Sequence, residues 1–200
     1  MKKDEKLLRR ASICILAITG VLLQIFSGRD SLITNLSVHT TLSNLYIFFY
    51  FLALTIATIK GKDKNYHPWF RFSSLSCILM TFIIANVLLY NMYLEGNLMF
   101  SIAIIIMHIV VPVLATIDYV KAEKLTLKKH AIITGILPSL AYTTTWFTLL
   151  LLNPTFECPY FFLDIVNTGI PMVSLYLFFI SVAIVSINII LYNQNAKKRK

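Results

Sequence analysis

From Leu98 to Tyr119 the chain carries a single formal charge, Asp118, and its stretch Ile102–Met107 holds no polar residue at all. A helix rises about 1.5 Å per residue and the hydrocarbon slab of a bilayer is about 30 Å thick, so a run of this kind is the length of a membrane crossing. Six such runs can be marked: Ala11–Ser27, Thr40–Ile59, Phe72–Tyr93, Leu98–Tyr119, Ala131–Leu152 and Gly169–Tyr192. Lipid offers no partner to backbone N–H and C=O groups, so each run must be helical or belong to a closed barrel. Barrel strands alternate apolar and polar residues, which these do not. The prediction is an all-α integral membrane bundle of six transmembrane helices, forming one polytopic domain over residues 1–200.

The net charge of +9 would suggest nucleic acid on a soluble domain, but here the cations fall between apolar runs. Lys2, Lys3, Lys6, Arg9 and Arg10 precede the first run, and Lys60, Lys62, Lys64 and Arg71 flank the second connection. Lys121, Lys124, Lys128 and Lys129 mark the fourth connection, and Lys197, Lys198, Arg199 and Lys200 close the chain. Arg29 is the one Lys or Arg in an odd-numbered connection. By the positive-inside rule both termini lie in the cytoplasm, the partner of the chain is the lipid bilayer, and nucleic acid is excluded. The basic loops would also attract anionic headgroups in a generic way.

A basic start before an apolar run also describes a signal peptide, but this run exceeds a usual signal core and no small-x-small site follows it. Cys14 and Cys77 lie in runs near the cytoplasmic side and Cys158 in an outer connection, so no internal disulfide is expected. No metal-ligand spacing occurs, and neither metal nor cofactor is implied. Glu95-Gly96-Asn97 reads as a tight outer turn. Two longer outer segments remain, Gly28–His39 and Asn153–Thr168, the second holding Pro154, Glu157, Pro159 and Asp164. Its stretch Pro159–Asp164 is apolar but too short to cross, so it lies at the interface or folds back over the bundle.

Polar side chains inside spans mark the bundle interior, because lipid makes them costly. His108 sits about 15 Å below the outer end of the fourth run by helical rise. Pro112, four residues on, has no N–H and releases the His108 carbonyl from its helical bond. The pairing reads either as a kinked helix with one interhelical hydrogen bond or as a general base or ligand group. The fifth run returns outward and brings Tyr142, Thr143, Thr144 and Thr145 to a similar depth, while Pro138 releases the carbonyl of Thr134. Ser139 and Thr143 share a face and suit close helix packing. Asn86 on the third run needs an interior partner.

Thr40, Ser43 and Asn44 share a face at the start of the second run. They read as an N-terminal cap, from Thr40 or Ser43, or as the lining of a cavity mouth. His39 is expected at the hydrated outer interface, His67 and His130 at the inner one. Asp118 is expected to form a solvated ion pair near Lys121 and Lys124, and Asp164 could pair with Arg29 across the outer face.

Thr40-Thr41-Leu42-Ser43-Asn44, then His108-Ile109-Val110-Val111-Pro112-Val113 with Asp118 beyond, then Pro159 through Asp164 followed by Gly169, occur in an order that resembles the bacterial "Pr-six-Pr" membrane proteins. These are relatives of the eukaryotic androgen-induced and androgen-dependent multi-pass proteins. The resemblance covers the chain from about Leu36 to the sixth run. It implies a multi-pass protein of a bacterial cytoplasmic membrane that hydrolyses lipid esters, with Thr40 as nucleophile and His108 as base. A hydroxyl attacks poorly until a base takes its proton, and imidazole can return that proton to the departing alcohol. Ser43, Asn44, Asn86, Tyr142, Thr143 and Asp164 are the candidate ligand-binding side chains. Contact between Thr40 and His108 requires Gly28–His39 to dip into the bundle; otherwise the two line one cavity at different levels. Two further readings stand beside the hydrolase: a noncatalytic membrane protein that binds or moves a small amphiphile, and a structural partner with no pocket.

Overall fold

The computed structural model describes residues 3–89, 97–122, 124–153 and 158–198, and within them the chain is helical with no strand. Glu95 and Gly96 of the expected outer turn, Pro154, Glu157 and the last residues of the expected third run lie outside the described residues. The elements are α1 (Lys3–Phe26), α2 (Leu32–Ser37), α3 (His39–Ile59), α4 (Pro68–Val87), α5 (Leu98–Ile105), a π-helical turn (Ile106–Val110), α6 (Val111–Lys121), α7 (Ala131–Thr134), α8 (Leu137–Leu152), a 3₁₀ turn (Phe161–Leu163) and α9 (Ile170–Ala196). Five helices are long and apolar enough to cross a membrane: α1, α3, α4, the continuous run α5 to α6, and α9. α8 is shorter, because the expected fifth run is divided.

Proline sets both irregularities. Pro112 cannot donate to the His108 carbonyl, and the chain winds more loosely there, so that the Val111 N–H reaches the carbonyl of Ile106, five residues back. Pro138 likewise leaves Thr134 without its α-helical donor, and the helix breaks at Gly135 and Ile136 before resuming as α8. Side-chain caps start two of the helices. The Ser31 hydroxyl accepts from Thr34 N at 3.1 Å to start α2, and the Asn97 side chain accepts from Phe100 N at 2.9 Å to start α5. α3 begins without a side-chain cap, at Val38, so neither Thr40 nor Ser43 has the capping role considered for it.

α1 packs most extensively on α3 and also lies against α5 and the π turn. Ile13, Ala17, Ile47, Leu54, Phe72, Ile78 and Val111 form the main apolar core between α1, α3, α4 and α6. Long apolar side chains also face outward, among them Phe49, Ile105, Leu152, Phe178, Phe179 and Ile190. Large apolar surface on every long helix suits a lipid solvent and would be a liability in water.

The helix ends differ from expectation most at α1, which begins about two turns earlier than the apolar run. Arg9 and Arg10 are therefore inside the helix, and Arg10 is only 2 % exposed. The reason is Asp118, expected to be solvated but wholly buried. It accepts Arg9 Nε at 3.0 Å and Nη2 at 2.8 Å and is also contacted by Arg71 Nη2, while Arg10 Nη1 reaches Thr58 Oγ1 at 2.7 Å and Asp63 at 2.6 Å. A buried carboxylate requires paired cations, and here α1 and α4 supply them to the carboxylate of α6.

Gly20 permits the contact that positions the π turn: a Cβ there would lie 2.6 Å from Met107 Cγ and 3.1 Å from Ile106 Cγ2. Gly20→Ala must therefore push α1 and the π turn apart. The expected cost is about 1–3 kcal/mol of stability, as for other overpacked cores, read by denaturant unfolding in micelles. An unchanged midpoint would contradict the close approach.

Candidate functional site

The N-terminal end of α3 lies level with the π turn rather than at the rim of the bundle. The connection after α1 folds inward through α2, where Asn35 is 1 % exposed, its Oδ1 accepting from Gln24 Nε2 at 3.0 Å and its Nδ2 donating to Asp30 O at 3.0 Å. Thr41 Oγ1 donates to Gln24 Oε1 at 3.4 Å, fastening the start of α3 below the end of α1. Of the expected inward dip of Gly28–His39, only the later part is seen: Gly28 to Ile33 are exposed, Asn35 is buried, and the turn into α3 sets Thr40 level with the π turn.

Thr40 Oγ1 lies 3.0 Å from His108 Nε2, and both residues are buried. The other ring nitrogen, Nδ1, is 3.0 Å from the carbonyl of Ile104. A carbonyl oxygen can only accept, so Nδ1 carries the proton of the neutral ring and Nε2 presents a lone pair. The Thr40 hydroxyl therefore donates to Nε2, the arrangement in which an imidazole can take a proton from a nucleophile. The backbone carbonyl holds the ring in one tautomer, the orienting part that a carboxylate plays in other nucleophile–base–orienter sets.

A third group meets this pair from the segment after α8. Of the two placements open to Pro159–Asp164, the structure has it folded back over the bundle, with Tyr160, Phe162 and Leu163 buried and the Tyr160 and Phe162 rings stacked at 5.0 Å. Tyr160 Oη accepts from Thr40 N at 3.4 Å and stands 3.5 Å from Thr40 Oγ1. Burial pushes the Tyr160 phenol up from its ordinary value, against the opposing hydrogen bonds from Thr40, so it stays protonated near neutral pH and can donate. Cys158 Sγ donates to Tyr160 O at 3.2 Å, and burial raises its thiol too.

The pair opens onto a cavity of about 240 Å³ bounded by α4, α8, α9 and the Tyr160 segment. Its walls are mainly apolar, with Ile84, Leu140, Phe147, Leu177 and Ile180 among them. α8 and α9 make few backbone contacts with each other, and the cavity lies between them. Tyr142, Thr143 and Thr144 also line it, and Tyr142 Oη is buried there without a hydrogen bond among the described residues.

Other expected site residues are used structurally. Ser43 Oγ donates to Thr40 O at 2.9 Å and lies 2.8 Å from Thr81 Oγ1. Asn44 Nδ2 donates to Thr40 O at 2.9 Å and to Met107 O at 3.4 Å, tying α3 to the π turn. Neither reaches the cavity wall. Asn86 Nδ2 donates to Phe82 O at 2.7 Å on its own helix, away from the cavity. Asp164 closes its own turn, accepting from Val166 N and Asn167 N at 3.0 Å and from Asn167 Nδ2 at 2.6 Å. Those bonds from Asn167 hold its carboxyl below the usual range. The considered pairing with Arg29 does not form, and the Arg29 guanidinium lies 4.5 Å from the Phe100 ring centre.

His39 is the main residue misplaced by sequence reasoning. Instead of sitting at a hydrated interface, it lines the cavity, its Nδ1 3.1 Å from Thr81 Oγ1 and its Nε2 3.2 Å from Ser139 Oγ. Its adjacency to Thr40 was the available signal, since an inward-dipping connection carries both. Tyr160 was visible only as part of an apolar segment too short to cross. No family model matches the chain, and no curated protein or solved structure does, so what this site can do is argued from its geometry.

Proposed function

We propose that this is a six-span membrane protein, both termini cytoplasmic, in which Thr40 and His108 hydrolyse an ester of a lipid drawn from the bilayer. The observation that carries the reading is the 3.0 Å contact of Thr40 Oγ1 with an imidazole nitrogen whose lone pair is fixed toward it. The order of motifs shared with the Pr-six-Pr membrane proteins supports the same pair. α7 and α8 together supply the sixth crossing. The basic segments support the orientation, since they meet at one end of the bundle: Arg10 reaches Asp63, Arg71 reaches Asp118, and Lys124 donates to Ala196 O at 3.2 Å. A bacterial cytoplasmic membrane is the proposed location.

In the reaction His108 Nε2 takes the Thr40 proton as Oγ1 attacks the ester carbonyl. The developing oxyanion needs a donor that does not reorganise, and the protonated Tyr160 hydroxyl beside Oγ1 is placed to supply it. The imidazolium returns its proton to the leaving alcohol, and a water activated by the same nitrogen then releases the acid from Thr40. Apolar walls take the acyl chain, and the sparse packing between α8 and α9 gives a lipid lateral access.

The noncatalytic alternative rests on the Tyr142 hydroxyl, a buried donor in a mainly apolar cavity that suits the carbonyl or hydroxyl of a bound amphiphile.

Labelling with a fluorophosphonate ester probe separates the two. The hydrolase reading predicts covalent labelling that is absent in Thr40→Ala and slowed by a factor of about 10² or more in His108→Ala, the usual scale of a lost general base. Unlabelled wild-type protein supports the binder, and full labelling of Thr40→Ala overturns the choice of nucleophile. For the orientation, a reporter fused after Lys200 is expected to be active only in its cytoplasmic form; activity of an external reporter would reverse it.

A further inference from the structure

Tyr142 carries a buried hydroxyl on the cavity wall whose proton has no acceptor among the described residues. Its neighbours on that wall do have one. Thr81 Oγ1 donates to Cys77 O at 3.3 Å, Thr143 Oγ1 to Ser139 O at 3.0 Å and Ser139 Oγ to Cys77 Sγ at 3.6 Å. The polar groups that act on the Tyr142 oxygen, the His39 amide N–H and the Trp146 indole, are themselves donors and cannot receive its proton. A buried donor left unpaired is costly, so the acceptor comes from whatever fills the cavity.

The cavity also restricts the charge of its occupant. No Lys, Arg, Asp or Glu is found among the described residues that line it. Its two imidazoles are engaged at both nitrogens, His39 by Thr81 and Ser139 and His108 by Thr40 and Ile104 O. A phosphate or free carboxylate would therefore lie unpaired against mainly apolar walls, which burial penalises heavily. The head group that fits is uncharged. The Tyr142 ring centre is 5.1 Å from that of His39, the residue before the nucleophile, and 6.5 Å from that of Tyr160, whose hydroxyl stands 3.5 Å from Thr40 Oγ1. Tyr142 is thus one ring away from the reacting atoms. The oxygen it takes belongs to the same head group as the ester, not to the far end of a chain.

We propose that Tyr142 selects the substrate of the hydrolysis assigned to Thr40 and His108, on which this inference rests: an uncharged acylglycerol, one of whose glycerol oxygens accepts the Tyr142 proton. A simple alkyl ester leaves that proton unpaired, and a site built to hydrogen-bond a substrate oxygen discriminates against the analogue that lacks it. A phospholipid brings a charge that the wall does not match.

Matched esters test this on the purified full chain in micelles: monooleoylglycerol, its phosphate monoester, and propyl oleate, which keeps the acyl chain and the three-carbon alcohol but has no further oxygen. Oleate release is expected with kcat/KM about tenfold or more higher for monooleoylglycerol than for either of the others, the scale of one hydrogen bond. In Tyr142→Phe the ratio of monooleoylglycerol to propyl oleate should fall about tenfold, whereas a variant that merely packs poorly would slow both esters and keep the ratio. An unchanged ratio in Tyr142→Phe, or a phosphate monoester cleaved as fast as monooleoylglycerol, overturns the assignment and leaves hydrolysis at Thr40 standing. Absence of turnover with every ester sinks the hydrolase reading instead. The Tyr142 contact is then read from the half-saturating concentration at which each ester raises the thermal unfolding midpoint: a preference for monooleoylglycerol of about tenfold that is lost in Tyr142→Phe retains the recognition, and equal values for the three esters end it.

Discussion

The His108 imidazole has to be satisfied inside the bundle, and the geometry of the site follows from how that is done. Ile104 takes the Nδ1 proton through its carbonyl, and Thr40 gives a proton to Nε2. With no solvent to exchange partners, each bond excludes the alternative tautomer. The same demand draws the start of α3 downward, because the threonine must come to the ring. Gln24 and Asn35 are the buried polar groups that hold this descent: Gln24 Nε2 donates to Asn35 Oδ1, Gln24 Oε1 accepts from Thr41, and Asn35 Nδ2 donates to Asp30 O.

Proline and glycine then fix the approach of the helices. Pro112 loosens the winding between Ile106 and Val110, and Gly20 lets α1 come against that turn. Asn44 ties the turn to α3 by two backbone carbonyls. Thr40 and His108 are thus carried on helical elements held by α1, rather than on a loop, which fixes their mutual placement. At the opposite end, Asp118 draws together α1, α4 and α6 through Arg9, Arg10 and Arg71.

Much of this architecture is legible in the order of residues. Apolar runs give the long helices, the prolines at 112 and 138 give the two irregularities, and His108 stands out as a polar group in an otherwise apolar run, whereas Thr40 sits among polar neighbours and is marked only by the resemblance in motif order. What the order hides is long-range partnership. Asp118 reads as solvated because Lys121 and Lys124 are its neighbours in sequence, whereas its true partners include Arg9, 109 residues away. His39 reads as interfacial because it precedes an apolar run, yet the dip of α2 carries it into the cavity. Ser43, Asn44 and Asn86 read as lining for the converse reason: a face shared on one helix does not say whether a cavity or a neighbouring backbone lies opposite. Tyr160 joins the site only through the folding back of its segment, for which apolarity is a weak signal.

The central claim is that His108 is a neutral base with its lone pair turned to Thr40. Nitrogen NMR of histidine-labelled protein in micelles, assigned with His108→Gln, reads this directly. The account predicts the His108 proton on Nδ1 and an Nε2 resonance that moves when Thr40→Val removes the hydroxyl. A proton on Nε2, or an Nε2 resonance indifferent to Thr40→Val, would contradict it.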